Sequence, residues 1–371
     1  MQGRVFRALG VAAALAVVTA TAAVAAPVDR TPESSAHADD GNVEASVAVG
    51  GRLLVGGTFT QVDGQVHNRL AALDAGNGAL DPSFDVTVDG EVAALATDGT
   101  TVFIGGKFNT VGGVRRNNLA AIDATTGEVR AGFNPAPTGM VRALGYLGGQ
   151  LYLGGSFSSV AGTNAAYLAA VDASSGALVT GFPHADAPVH AITVAGTLVY
   201  VGGEFNSVGA TARSRVAVLN GSGTLQSYKT SSIPPVYDIA VDPSGVYLAT
   251  AGGLPTGNSL YKTTSGGAKV WQVATDGNLQ TVLLVGDTVY AGGHFGLVCG
   301  TTTSGCGNTT IARKAFVADT AGSTPNARAW AKFNTALGVF ELTEAGSNVY
   351  ALGVFTKVNG KVVPRIARFA E

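Results

Sequence analysis

The chain is 371 residues long, 46% hydrophobic and only 13% charged, with 52 glycines. That balance excludes a disordered chain, which would carry little apolar content and many charges. A formal net charge of −2 leaves no basic field to hold nucleic acid or anionic lipid.

In chain order, the first element is a leader. Arg4 and Arg7 make a short basic stretch, and no acidic residue precedes Asp29. An apolar run over residues 8–18 follows, then small residues ending in Ala23-Val24-Ala25. A basic start, an apolar middle and an A-x-A site predict a secretory signal peptide over residues 1–25, because Pro27 disfavours cutting after Ala26. The alternative is an uncleaved anchor, for which the apolar stretch is short and alanine-rich. No later run approaches the roughly 20 apolar residues of a spanning helix. The remainder is predicted to be secreted, with no membrane span after cleavage.

A repeated motif occupies the rest. Gly56-Gly57-Thr58-Phe59 returns as Gly105-Gly106-Lys107-Phe108, Gly154-Gly155-Ser156-Phe157 and Gly202-Gly203-Glu204-Phe205. Degenerate copies follow at Gly252-Gly253, at Gly292-Gly293-His294-Phe295 and at Leu352-Gly353-Val354-Phe355. The second positions are spaced by 49, 49, 48, 50, 40 and 60 residues, so the rhythm survives one deletion and one insertion. A period near 40–50 points to propellers or helical arrays. The second copy decides between them. Residues 92–97, 101–104, 119–123 and 128–133 read as short strands separated by turn signals, and no helical period occurs. The fold class is therefore all-β: a seven-bladed β-propeller of four-stranded blades over residues 42–371.

The last copy supplies strands at 339–343, 349–353 and 365–369 and then stops. At the other end, Asp39-Asp40-Gly41-Asn42-Val43 parallels Val88-Asp89-Gly90-Glu91-Val92. Residues 26–41 are predicted to add the missing outer strand to the last blade, which would remove an exposed edge. The alternative is a three-stranded final blade with that segment disordered. The two cysteines, Cys299 and Cys306, predict a disulfide closing a small loop in an oxidising compartment. Free thiols or half a metal site are the rivals, although residues 300–305 offer no His, Asp or Glu.

The run VFIGGKFNTVGGVRRNNLAAIDATTGEVRAGFNP resembles the delta-60 repeat propellers, whose blade carries G-G-x-F, V-x-G and L-A-x-L/I-D segments and a late aromatic. The first four copies match well, to about Ser222; the others match in part. The resemblance implies a propeller of secreted or cell-surface proteins and little about mechanism. LAAIDATTGEVRAGF is also similar to the blade-docking motif of quinoprotein dehydrogenases, with Phe84, Phe133 and Phe182 in place of its tryptophan and Trp271 near its original form. The cysteine pair and calcium carboxylates of those enzymes have no recognisable counterpart. The glycine pair resembles kelch blades without their Tyr and Trp.

The glycine pairs continue strands, so close packing of backbone explains them better than a phosphate cradle. Asp74, Asp123, Asp172, Asn220 and Asp319 recur before glycine-containing turns, the chemistry of Asx-turns. Function is expected where the repeats disagree. Aligned inner strands stack Val43, Val92, Val141, Val189, Val236, Leu279 and Val339 in a uniform column. The next column is mixed: Glu44, Ala93, Arg142, His190, Tyr237, Gln280 and Phe340. One position on, Asp238 and Glu341 replace Ala or Thr, and the variable residue of the glycine motif is expected toward the same face. The candidate ligand-binding patch at a channel mouth is Glu44, Lys107, Arg142, His190, Glu204, Tyr237, Asp238, His294 and Glu341.

These features predict a secreted, monomeric, non-catalytic domain that binds or scaffolds an extracellular glycan or protein, without cofactor or metal. His184, Asp186 and His190 around one turn fall short of a metal site. No G-x-S-x-G elbow, H-E-x-x-H or P-loop occurs. The alternatives are a hydrolase or lyase acting on a glycan or lactone through Glu44, Asp238 and Glu341, and a structural wall or matrix component.

Overall fold

The computed structural model describes residues 29–252, 257–300, 310–311, 313–335 and 337–370. The predicted signal peptide and Cys306 lie outside them. The described residues form only strands and turns. Among them no helix is long and apolar enough to cross a membrane.

Each repeat is built on an antiparallel pair. The inner strands are Val43–Val49, Glu91–Thr97, Val141–Leu147, Val189–Ala195, Val236–Asp242, Asn278–Val285 and Val339–Ala345. Their middle partners are Arg52–Gly57, Thr101–Lys107, Gln150–Gly155, Leu198–Gly203, Gly245–Thr250, Thr288–His294 and Asn348–Gly353. A third strand such as Leu119–Asp123 pairs with each middle strand and is buried along almost its whole length. Such sandwiched strands read as continuous apolar runs, as LAAID does.

Four-stranded blades are not the rule. The first four repeats and the seventh are three-stranded sheets. In the second, the predicted fourth strand at 128–133 makes only an isolated bridge, Ile122 to Val129. Two backbone hydrogen bonds hold it, Asp123 N to Glu128 O and Arg130 N to Ala121 O, both 2.8 Å. Pro135 and Pro137 beyond lack the amide a ladder needs. Phe133 nevertheless sits fully buried against Phe103, rings 5.5 Å apart, so the late aromatic docks without a strand. The fifth repeat, free of such punctuation, has a complete fourth strand, Lys269–Thr275, carrying Trp271. The sixth has a short one, Arg328–Ala329.

The register explains both glycines. In the third repeat, a Cβ on Gly154 would lie 2.5 Å from Val189 Cγ1 of the next repeat, and one on Gly155 would lie 2.1 Å from Met140 O. The first glycine admits the uniform-column valine of the following repeat; the second admits the backbone at the start of its own inner strand. All seven uniform-column residues are completely buried. The fifth repeat corrects the sequence alignment. Val236 pairs with Thr250 and Asp238 with Ala249, so Ala249-Thr250, not Gly252-Gly253, occupies the glycine positions.

Repeats pack on their neighbours through apolar clusters. Tyr350, Leu352 and Ile366 of the seventh repeat share one buried cluster with Leu53, Val55 and Ala71 of the first. The N-terminal segment runs beside the last strand, Ile366–Ala370, through Asp29 N to Ala370 O (3.2 Å) and Glu33 N to Arg368 O (2.8 Å). It forms the single bridge Glu33 to Arg368 there and no continuous strand; Pro32 contributes no amide.

Candidate functional site

Every inner strand contains one irregularity at the same place. The register shifts between Val43 and Ala45, Val92 and Ala94, Val141 and Ala143, and Val189 and Ala191. It shifts likewise between Val236 and Asp238, Leu279 and Thr281, and Val339 and Glu341. The residue skipped each time is the mixed column: Glu44, Ala93, Arg142, His190, Tyr237, Gln280 and Phe340. A β-bulge leaves its extra residue outside the ladder and re-aims the side chain. Its neighbour on one side is the buried valine or leucine, so the fold fixes where the bulge residue sits while leaving its chemistry open.

The seven bulge residues come together. They line a cavity of about 510 Å³ with Asn42, Glu91 and Glu204, and all seven also line a second cavity of about 220 Å³. They therefore form a girdle between the two. Of the predicted patch, Glu44, Arg142, His190, Glu204 and Tyr237 face the first cavity, and Asp238 and Glu341 the second. Lys107 and His294 do not join them. Their middle strands run one residue further, pairing Lys107 with Glu91 and His294 with Asn278, and both side chains are exposed. His294 lines a separate cavity with Asp276, Asn278 and Lys314. Sequence reasoning missed Asn42 and Glu91, which directly precede the uniform valine; their own column (Asn42, Glu91, Met140, Pro188) is equally mixed and was the available signal.

Within the girdle, His190 Nε2 lies 2.9 Å from Glu204 Oε1, and its ring stacks on Tyr237 at 4.6 Å with the planes 6° apart. Burial lowers the His190 pKa, opposed by Glu204 and aided by Arg142. The neutral ring thus donates its Nε2 proton to Glu204 and keeps Nδ1 as an acceptor. Tyr237 is raised by burial and by Glu204. Asn42 Nδ2 donates to Glu44 Oε1 at 3.1 Å. Burial, with the charge and hydrogen bond of Glu91 adding to it, pushes Glu44 up to about 7 against the pull of Asn42 and Arg142.

Asp238 and Glu341 belong to a different device. Asp238 accepts from Ile239 N (2.7 Å) and from Val282 N of the next repeat (2.8 Å). Thr281 Oγ1 accepts from Leu342 N at 3.0 Å, one repeat further. Ser46 Oγ of the first repeat donates to Glu341 at 3.4 Å. The first four repeats carry alanine at this position (Ala45, Ala94, Ala143, Ala191). The polar replacements in the last three link successive inner strands. Burial raises Asp238 to about 6 and Glu341 well above the usual carboxyl range, the latter also by the charge of Asp238. Asp238, held by two backbone amides, carries the charge, and Glu341 keeps the proton.

The turn carboxylates are structural. Asp74, Asp123 and Asp172 each accept two backbone amides two and three residues on, at 2.8–3.1 Å. Asn220 does the same at two and four residues, while Asp319 pairs with Arg328 at 2.8 Å. Among the described residues no group of three or more His, Cys, Asp or Glu side chains is arranged to hold a metal ion.

A family model described as a domain of unknown function (DUF5122) beta-propeller matches residues 51–84. No curated protein matches the chain. Among solved structures, the chain is similar to the computationally designed Ika8 protein, with a TM-score of 0.55 and 12% identity over 89% of this chain and 96% of that one. It is equally similar to the WD40 beta propeller domain of Doa1, with a TM-score of 0.55 and 12% identity over 93% and 96%. This is an all-β chain of small antiparallel sheets with the likeness of a β-propeller.

Proposed function

We propose that this chain is a closed seven-bladed β-propeller that binds a ligand in the cavity above its girdle and does not transform it. One observation carries the reading: seven bulges, one per repeat, hold a fixed backbone place yet present Glu, Ala, Arg, His, Tyr, Gln and Phe to one cavity. A residue set retained for packing would be uniform, as the adjacent valine column is. Closure is supported by the apolar cluster joining the seventh repeat to the first and by Ser46 on Glu341. In this reading residues 26–41 seal the junction, residues 42–371 are the propeller, and residues 1–25 export it. Cys299, buried on Leu297–Gly300, pairs with Cys306.

The enzyme alternative loses two of its three carboxyls, because Asp238 and Glu341 are engaged in linking inner strands. The test is a thermal-shift and calorimetric screen of the chain from Ala26 onward, since a binder raises apparent stability by mass action. Binding that disappears in Arg142→Ala and His190→Ala supports the reading. Binding indifferent to both, or turnover of a bound substrate, overturns it.

A further inference from the structure

The charges around the upper cavity narrow its ligand. Arg142 is exposed at the third bulge and makes no ion pair or hydrogen bond among the described residues. An unpaired guanidinium in a concave site calls for a carboxylate or phosphate. Around it stand Glu44 and Glu91, close enough for the charge of Glu91 to act on Glu44, and Glu204, which accepts from His190. Three formally negative groups thus face one guanidinium, with His190 neutral. A phosphate dianion would enter against that field, and a plain amine would meet Arg142. A ligand carrying both charges satisfies both sides.

Resting on the reading of the cavity as a ligand site, we infer that it receives the zwitterionic head of an amino acid, carboxylate on Arg142 and ammonium on Glu44 and Glu91. Two further features agree. Gln280 lines the cavity, and its Oε1 is a buried acceptor without a hydrogen-bond partner. Phe340 on the seventh bulge offers an apolar surface for the ligand's side chain. The titratable groups that face Glu44 are Glu91 from the next inner strand, Glu341 from the last one and, across the girdle, Arg142, His190, Glu204 and Tyr237. The Glu44 carboxyl is pushed up to about 7 by burial. As pH drops from 8 to 6 Glu44 gains a proton, the ammonium loses a partner, and binding weakens by roughly fivefold, the size of one partly exposed charge pair.

The test is calorimetry of the chain from Ala26 onward with L-phenylalanine, N-acetyl-L-phenylalanine and phenethylamine, at pH 8 and pH 6. L-phenylalanine is expected to bind, each single-charge analogue at least tenfold more weakly. Arg142→Ala is expected to abolish the binding, and Glu44→Gln to weaken it and flatten its pH dependence. Equal binding of the N-acetyl compound, or tighter binding at pH 6, overturns the inference, because a simple anion site would behave that way. If these compounds are silent while another ligand binds through Arg142 and His190, the amino-acid class fails and the cavity stands. If nothing binds, both fail.

Discussion

At the residue scale, neighbouring positions on one inner strand answer to different constraints. Val189 is fully buried against Gly154, whereas His190 beside it sits in a bulge and owes its neighbours only a stack and a hydrogen bond. Gly155→Ala would set a methyl 2.1 Å from Met140 O, and backbone cannot yield as a side chain can. It is expected to lower stability by about 1–3 kcal/mol in denaturant titration, with an effect below about 0.5 kcal/mol contradicting the packing role. Glu44 and Glu341 make the opposite case. Their folded-state pKa values are raised, so the folded state binds the extra proton and stability falls as pH climbs through the usual carboxyl range toward the folded value. For Glu44 that window runs from its ordinary value to about 7. Glu44→Gln is expected to gain melting temperature over the parent at pH 8 and to lose that advantage by pH 4.

At the scale of elements, the sequence was legible where one residue type serves one geometric need in every copy. The valine column, the third strand at 119–123 and the Asx-turn carboxylates follow from repeated burial, a continuous apolar run and turn chemistry respectively. The fourth strand was not, because the stretch around Val129 has strand-like composition while the prolines that cut it short lie a few residues on. The fifth repeat misled for another reason. Gly252-Gly253 looks like the motif, but Ala249 and Thr250 hold its register, so the glycine's role is met there by a small side chain rather than by none. The bulges themselves left only an indirect trace, the mixing of one column. The links of Asp238, Thr281 and Glu341 to the next inner strand were invisible, since they depend on which backbone amide lies across the gap. Asp238→Ala is expected to cost about 1–3 kcal/mol by leaving Val282 N unsatisfied, whereas an unchanged denaturation midpoint would mean that link is idle.

At the scale of the molecule, the junction between the chain ends is the place where a repeat array either closes or frays. Arg368 is buried and holds it from three sides: Glu33 Oε2 at 2.5 Å, Ser34 O at 3.2 Å and Asn348 Oδ1 at 3.0 Å. A further bond reaches Gly76 O of the first repeat at 3.2 Å. Arg365 adds Gly41 O at 2.7 Å and Ala38 O at 3.0 Å. Arg368→Ala is expected to destabilise the whole chain by about 2–4 kcal/mol and to expose residues 29–41 to protease; retained protection would contradict a sealing role.

The central claim is that the girdle is spared by the fold and kept for recognition. Its most direct measurement is the thermal denaturation of the quadruple variant Glu44→Ala, Arg142→Ala, His190→Ala and Tyr237→Ala. A cooperative transition within about 2 kcal/mol of the parent is expected, because these side chains line a cavity and pack no core. A variant that fails to fold, or melts as though a core valine had been lost, would contradict it.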